Sequence, residues 1–459
     1  MPGLRLDMGW ADRRWKDPLT GTEVVCLSPE RKSHFRNNYF RFNMCTNDGQ
    51  YVLFAEFERI ESGAECGAKR LWARNLLTGE LHDLGEIPPG SESWIAYAAA
   101  RRSHRANILD CSDPEAVAII QVDIDTRQRR RIVPSERLTH IYEPSFSADE
   151  RYVYTPWWKE KWDLRKTMDP TDFRAMICSQ PGYQEMIRID LQTGGIEPIF
   201  SATTWWLGHP NPHPVYPELF MCCQEWCGEN PKWGPAKEHE RIRVFDISTR
   251  QWLDIFRRVP FQSSHEHWAS AGKRIYAHGW IHGCHSFNQI DLEKGTNTWF
   301  ISPPSTGTSA HVLVAPNERF IVGDGVNFDR TSIPPDVRAR MEERAKRGDF
   351  ESMWASGDLH SADGGETIWK YTLPAETVWD PAAHVADGDR LLADAAKHPE
   401  RLVEVTPVCR FRSLARSHML GYRLESNAHV TPDSRWVIFQ SSSQDDWFEV
   451  WAARVPGTE

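Results

Sequence analysis

The residue types best able to do chemistry in this chain are a few histidines and one arginine, each beside a strand-like segment. His265 lies in Ser-His-Glu-His-Trp, His209 in Trp-Leu-Gly-His-Pro, and His239 and Arg241 in Glu-His-Glu-Arg. A neutral imidazole, with a reference pKa near ~6.5, is suited to accept a proton at neutral pH. A guanidinium fork matches a carboxylate, where a lysine would offer only a point charge. Residues of these types allow general acid–base work and the binding of an anionic group. Plainer readings stand beside these. Arg241 could be an ion pair at a strand start, and His265 a rim histidine packed on Trp268. Pro210 biases His209 towards extended backbone, which fits a supporting role. His34 and Arg41 could add polar contacts at a binding mouth. Trp157, Trp158, Trp205 and Trp206 could stack on a sugar or simply pack. Cys222, Cys223 and Cys227, in Cys-Cys-Gln-Glu-Trp-Cys, have a spacing that zinc allows, but no second pair follows.

A repeat would position these residues. A short apolar run, a turn of Asp, Asn, Pro or Gly, and an alternating strand recur at 45–54, 146–154, 267–276, 314–322 and 430–439. Each is a hairpin signature. Alternating strands ending in turns follow at 71–79, 187–194, 244–249, 290–295 and 368–373. Two hairpins per repeat of roughly 40 to 60 residues is the arithmetic of a four-stranded propeller blade. The expected fold is all-β, a single seven-bladed β-propeller spanning 1–459. Its blades are expected near 40–88, 93–135, 142–200, 205–257, 264–302, 309–408 and 415–456. The stretch at 93–135 lacks the turn signature, so six blades is the competing count. Residues 1–22 read as an N-terminal extension, and the strand at 23–27 could complete the last blade and close the ring. Residues 157–183 read as a charged loop or short helix. Residues 334–365 read as an insertion in the sixth blade, with a surface helix at 334–350.

Bulk properties narrow the function classes. The chain has 459 residues, 40% hydrophobic and 26% charged, an ordinary globular composition. A net charge of −10 argues against nucleic acid as a partner, while a few focused arginines could still hold an acidic sugar. No apolar run approaches the roughly 18 residues of a membrane helix, and the N-terminus lacks a secretory core. The ten cysteines have no framework spacing and read as buried reduced thiols. A cytoplasmic protein without membrane partners is expected, of open oligomeric state. No Gly-x-Ser-x-Gly elbow accompanies the repeats, which disfavours a propeller peptidase.

The residues flanking the repeats are more specific. Segments 27–34, Tyr39-Phe40, 45–49, 206–210, 264–268, Ala310-His311, Val322-Gly-Asp-Gly325 and Thr431-Pro-Asp433 occur in the order found in the oligogalacturonate lyases, which the chain resembles from about residue 24 onward. The resemblance implies a carbon–oxygen lyase that cleaves uronate-containing oligosaccharides by β-elimination. It matches His265 to that family's His-Glu-aromatic-Trp histidine. Arg241 matches its active-site arginine, expected just before the inner strand of the fourth blade, and His311 its first metal-binding histidine. The remaining manganese ligands of the family, a Gln and a His-Pro-His, fall on Tyr422, Glu425 and Asn427, with His429 two residues on. Glu425, Asn427 and His429 could still hold a divalent cation with His311, manganese or alternatively calcium or zinc. The family's Cys-His-Glu-Gly has become Cys223-Gln-Glu-Trp226, and His239 could replace a further missing histidine.

The implied reaction needs the C5 proton of a uronate removed after its carboxylate has been neutralised. His265 is the expected base, Arg241 the carboxylate-binding group, and His209 a further catalytic residue. His34, Arg41, Trp206 and His239 are expected substrate contacts. The altered last blade points to oligogalacturonate or to another uronate-linked chain such as ulvan, glucuronan or rhamnose-glucuronate. The alternative from a different class is a non-catalytic propeller that scaffolds a partner.

Overall fold

The computed structural model describes residues 5–17, 20–30, 33–39, 41–57, 68–89, 91, 97–113, 116–138, 141, 143–158, 184–202, 205–226, 241–253, 255, 263–281, 284–303, 308–326, 365–375, 387–412, 426–442 and 448–458. Their strands form seven antiparallel sheets in sequence order. Blades one to six span 34–86, 97–132, 145–202, 205–253, 263–301 and 308–412, each with its first strand at one edge and its fourth at the other. The expectation of seven blades is met, including the blade without a turn signature. The first blade begins at His34 rather than residue 40, because the segment 37–44 interrupts its inner strand before Cys45 pairs with Val52.

The seventh blade closes the ring with both ends of the chain. Strands His429–Val430, Trp436–Ser442 and Phe448–Arg454 are completed by Glu23–Cys26, which pairs Val24 with Ala453 and Cys26 with Trp451. A fifth strand, Arg14–Lys16, adds to its outer edge, so the segment expected as an extension is partly built into the sheet.

Period-2 alternation gives each blade two apolar faces, and each adjacent pair of blades shares its own buried cluster. Between blades seven and one, for example, Trp436, Ile438 and Val450 pack on Phe35, Val52 and Phe54. Between four and five, Met221, Ile242 and Val244 pack on Trp268, Ile275 and Ala277. Turn contacts pin the same faces. Gly272 (φ +74°) lies against His213, whose Nε2 is 2.8 Å from the Gly272 carbonyl oxygen, and a Cβ there would meet the ring at 2.2 Å.

A helix at Gly388–Lys397, α1, was not foreseen. It precedes the last strand of blade six and packs Leu391 and Ala395 onto Trp299 and Ile301 of blade five. Asp387 caps it, its side chain accepting from the Arg390 N–H. The expected helix at 334–350 lies outside the described residues, as does the expected loop 157–183 apart from its first two residues, Trp157 and Trp158, which instead end the strand Tyr152–Trp158. Among the described residues, no helix is long and apolar enough to cross a membrane.

Candidate active site

The inner strands share one irregularity. Blade four breaks register between Gly208 and Asn211, blade five between Ser264 and His267, and blade six between Ser309 and His311. At the matching level His209 (φ 51°), His265 (φ 53°), Glu143 (φ 57°, blade three) and Asn427 (φ 47°, blade seven) hold left-handed backbone. Such conformations cost non-glycine residues of order 1–3 kcal/mol each and gather where a side chain is aimed for use. The extended backbone expected at His209 from Pro210 is therefore not found. The bulge takes that residue left-handed, and its N–H donates to Glu143 Oε2 at 2.9 Å.

Glu266 organises the side chains that these bulges bring together. Its carboxylate, buried to 1% exposure, accepts from Arg241 Nε at 3.0 Å and lies 3.3 Å from His209 Nδ1. Burial alone would raise its pKa, but Arg241 first and His209 next outweigh it and hold the group ionised, well below the usual carboxylate range. The Nε contact fixes the plane of the guanidinium, which keeps 21% of its side chain exposed. Arg241 immediately precedes the third strand of blade four, Ile242–Asp246, not the inner one as expected. It therefore reaches Glu266 from one strand further out.

His265 joins this group to a second one. Its ring lies 4.7 Å, centroid to centroid, from that of His311, and Tyr39 packs edge-on to His311 at 5.4 Å. Tyr39 also packs 6.1 Å from the His209 ring, so its side chain bridges the two sides. Behind His265 runs a file of buried imidazoles: Nδ1 of His265 is 2.9 Å from Nε2 of His278, whose Nδ1 is 3.0 Å from Nε2 of His285. Burial, then the neighbouring His311 and His278, lowers the His265 pKa well below its ordinary value, and burial pushes His285 down to about 3. All three rings are thus neutral near pH 7. In a neutral file, a hydrogen on His265 Nδ1 donated to His278, and one on His278 Nδ1 donated to His285, leaves the His265 Nε2 lone pair as acceptor.

His311 is held by Asp324 from the paired strand. The carboxylate accepts the His311 N–H at 2.8 Å and lies 3.2 Å from its Nδ1. Asp324 Oδ2 also accepts from Ser426 Oγ and the Asn427 N–H, each at 3.1 Å, which ties blade six to blade seven. Burial opposes the charge on Asp324, but His311 outweighs it, and the carboxyl stays ionised.

The structure therefore gathers Arg241, His265, His209 and His311 and brings Asn427 alongside through Asp324. Other expected site residues are placed differently. His34 accepts the Phe448 N–H on Nδ1 at 3.2 Å and stacks on Phe448 within the closing seam. Arg41, its side chain 1% exposed, pairs with Glu143 and reaches the Pro210 carbonyl, bracing the blade-four bulge. His429 points Nε2 at the Asn38 carbonyl oxygen, 3.2 Å away, and burial takes its pKa down to about 4. That nitrogen must carry hydrogen to bond a carbonyl, so it is not a metal ligand there. His239 and Glu425 lie outside the described residues, as does the Trp206 side chain. His311, with one ring nitrogen on a carboxylate, and His429, with one on a backbone carbonyl, each have the arrangement such a role favours. Among the described residues, His311 and His429 would hold such a cation, with Asn427 tied to His311 through Asp324.

Several site residues escaped the sequence reading. Glu266 stood in a motif already singled out, and an acid flanked by His265 and His267 was the available signal. Tyr39 was quoted only for its motif. His278, His285 and Glu143 gave no local signal, because their positions depend on strand pairing. Cys222 and Cys223 point to opposite faces, Cys222 packing among Tyr154, Met186 and Phe245 between blades three and four. The two therefore cannot share a zinc ion.

No protein-family model matches the chain. Its sequence is 25% identical over 334 residues to the oligogalacturonate lyase of Dickeya dadantii, covering 71% of this chain and 76% of that protein. It is 27% identical over 214 residues to the oligogalacturonide lyase of Pectobacterium atrosepticum, covering 46% and 50%. A solved oligogalacturonate lyase in complex with manganese superposes with a TM-score of 0.64 at 16% identity, over 97% of this chain and 96% of that one. The oligogalacturonate lyase of Vibrio parahaemolyticus gives 0.64 at 15% identity, over 97% of each. The chain thus resembles the oligogalacturonate lyases both in sequence and in fold.

Proposed function

Proceeding from that likeness, we propose that this protein is a lyase that cleaves uronate-containing oligosaccharides by β-elimination. The observation that carries the reading is the convergence of Arg241, Glu266, His265 and His311 from blades four, five and six. The C5 hydrogen of a uronate is weakly acidic, since its loss beside an ionised carboxylate would build a dianion. Arg241, with its plane set by Glu266, is the group to offset that charge. His265, neutral and backed by His278 and His285, is the base that takes the proton. The electron pair left at C5 forms the C4–C5 double bond as the C4–oxygen bond breaks, and the departing oxygen takes its proton from solvent. His209, held between Glu143 and Glu266, positions Glu266 and hence Arg241.

The manganese in the solved relative supports a divalent cation in this protein, which would add electrophilic charge near the sugar acid. The names of the relatives support an acidic oligosaccharide as substrate. The changed last blade and the replacement of the family's histidine at Gln224 favour a uronate other than galacturonate. Cytoplasmic action on short oligomers fits this chemistry, as does one propeller domain with an insertion at 334–365.

Oligogalacturonate, glucuronan, ulvan and rhamnose-glucuronate oligomers, each incubated with manganese, calcium or zinc, provide the test. Ultraviolet absorbance from a new C4–C5 double bond is expected with one uronate class. Silence on all of them with a correctly folded protein would overturn the lyase reading and favour the scaffold alternative.

A further inference from the structure

The bulges of blades four and five do more than aim His209 and Glu266. Across the blade-four bulge, Cys223 on the second strand pairs with Gly208. Since Cys222 faces the blade-three interface, alternation sends the Cys223 side chain to the opposite face, towards blade five. One nitrogen of His209, Cys223 Sγ and one oxygen of Glu266 all lie within 4.8 Å of one another. Glu266 and Cys223 are buried, and His209 is partly exposed.

We propose that His209, Cys223 and Glu266 form a three-donor seat for a thiophilic divalent cation of the zinc class, spanning blades four and five. The donor set is what such an ion prefers: one thiolate, one imidazole and one carboxylate, leaving a position for water or substrate. Neither manganese nor calcium has a comparable preference for sulfur. The second shell is present as well, because Arg241 Nε donates to Glu266 Oε2 and Glu143 holds the His209 backbone. Binding replaces the thiol proton with the ion, and the imidazole needs only the tautomer that frees the ligating nitrogen. The two anionic donors balance the ion's charge. Glu266 then offsets Arg241 less, which leaves that guanidinium more strongly attractive to a sugar carboxylate. This seat is separate from the His311 side, where Asp324 holds His311 and Asn427. The inference stands on these three residues and does not require the lyase reading.

Cobalt(II) titration of the chelator-stripped full-length protein tests it, because thiolate coordination gives a charge-transfer band in the near ultraviolet. One cobalt per chain with that band is expected. Cys223→Ser should abolish the band and weaken binding at least tenfold, whereas His311→Ala and Cys227→Ser should keep it. Absence of the band, its survival in Cys223→Ser, or its loss in His311→Ala would overturn the proposal. If Cys223→Ser fails to fold, X-ray absorption at the zinc edge of the wild-type protein decides. One sulfur in the inner shell supports the seat, and a shell without sulfur refutes it. The band with no activity on any uronate would leave the seat standing and remove the lyase. Activity with no band would do the reverse.

Discussion

Arg241 and Glu266 show why a residue's type is only half of its chemistry. A buried carboxylate would be protonated or avoided on its own, and here the guanidinium and the His209 ring keep it charged. Removing that charge by Glu266→Gln leaves Arg241 without its partner, so unfolding by urea should show a loss of about 3 kcal/mol. Arg241→Lys keeps the sign but loses the fork. We expect kcat/KM on the preferred uronate to fall about 100- to 1000-fold while the circular dichroism spectrum stays unchanged. His278 touches no substrate and acts by setting the hydrogen on His265. His278→Phe should therefore lower kcat about 10- to 100-fold and leave KM nearly constant, with His278→Gln recovering part of the loss. A KM that rose in step with the fall in kcat would contradict that positioning role.

Two kinds of local device set the elements in place. The first is the left-handed bulge at the inner strands. Asn427 at φ 47° is a residue that tolerates this region. Asn427→Val should cost about 1–3 kcal/mol in thermal unfolding, while Asn427→Gly should cost little in backbone terms. The second is the turn-to-turn bracket between blades one and two. His104 lies 2.6 Å from Asp48 and 2.8 Å from Asp125, which also accepts from the Tyr51 hydroxyl at 2.7 Å. Burial lowers the His104 pKa, but the two carboxylates outweigh it and the net shift is upward. The two carboxyls shift downward, as burial is outweighed by His104 and the hydroxyls. A raised histidine stabilises fully below its unfolded pKa and loses that contribution as pH rises through the folded value. A depressed carboxylate stabilises above its unfolded pKa and fails as pH falls through the folded one. The bracket is thus strongest between about pH 4 and 6.5. These side chains are partly exposed, so His104→Ala should cost about 1 kcal/mol or less. That cost should be larger at pH 5.5 than at pH 8.5 in paired melting curves.

At the scale of the ring, the two chain ends share one sheet, and the apolar clusters run without interruption from blade to blade. Val24 and Val25 are both fully buried, one on each face of the closing strand. Charge there would part the seam between blade seven and both of its neighbours. Val25→Asp should lower the melting temperature sharply and expose apolar surface to a dye probe. Val25→Ala should cost roughly 2–3 kcal/mol with cooperative unfolding retained. A Val25→Asp variant as stable as the parent would mean that the N-terminal strand does not close the ring.

Hairpin signals and strand alternation pointed to an all-β ring of seven blades, with six as the competing count, and to 23–27 as a strand able to close it, because period-2 patterning and turn chemistry are local. The same applies to the motifs around His265, Arg241 and His311. Which side chains meet was decided by register, which depends on partners far away in the chain. Extra residues in the inner strands of blades four and five turned His209 against its Pro210 bias and put Glu266 between Arg241 and His209, and alternation on the second strand of blade four sent Cys223 towards them. Pairing across blade five lined His278 and His285 up behind His265. Packing in the closing seam turned His34 onto the Phe448 backbone and His429 Nε2 onto the Asn38 carbonyl. Spacing along the chain carries no information about such meetings, because a single-residue slip reverses the face on which every following side chain lies.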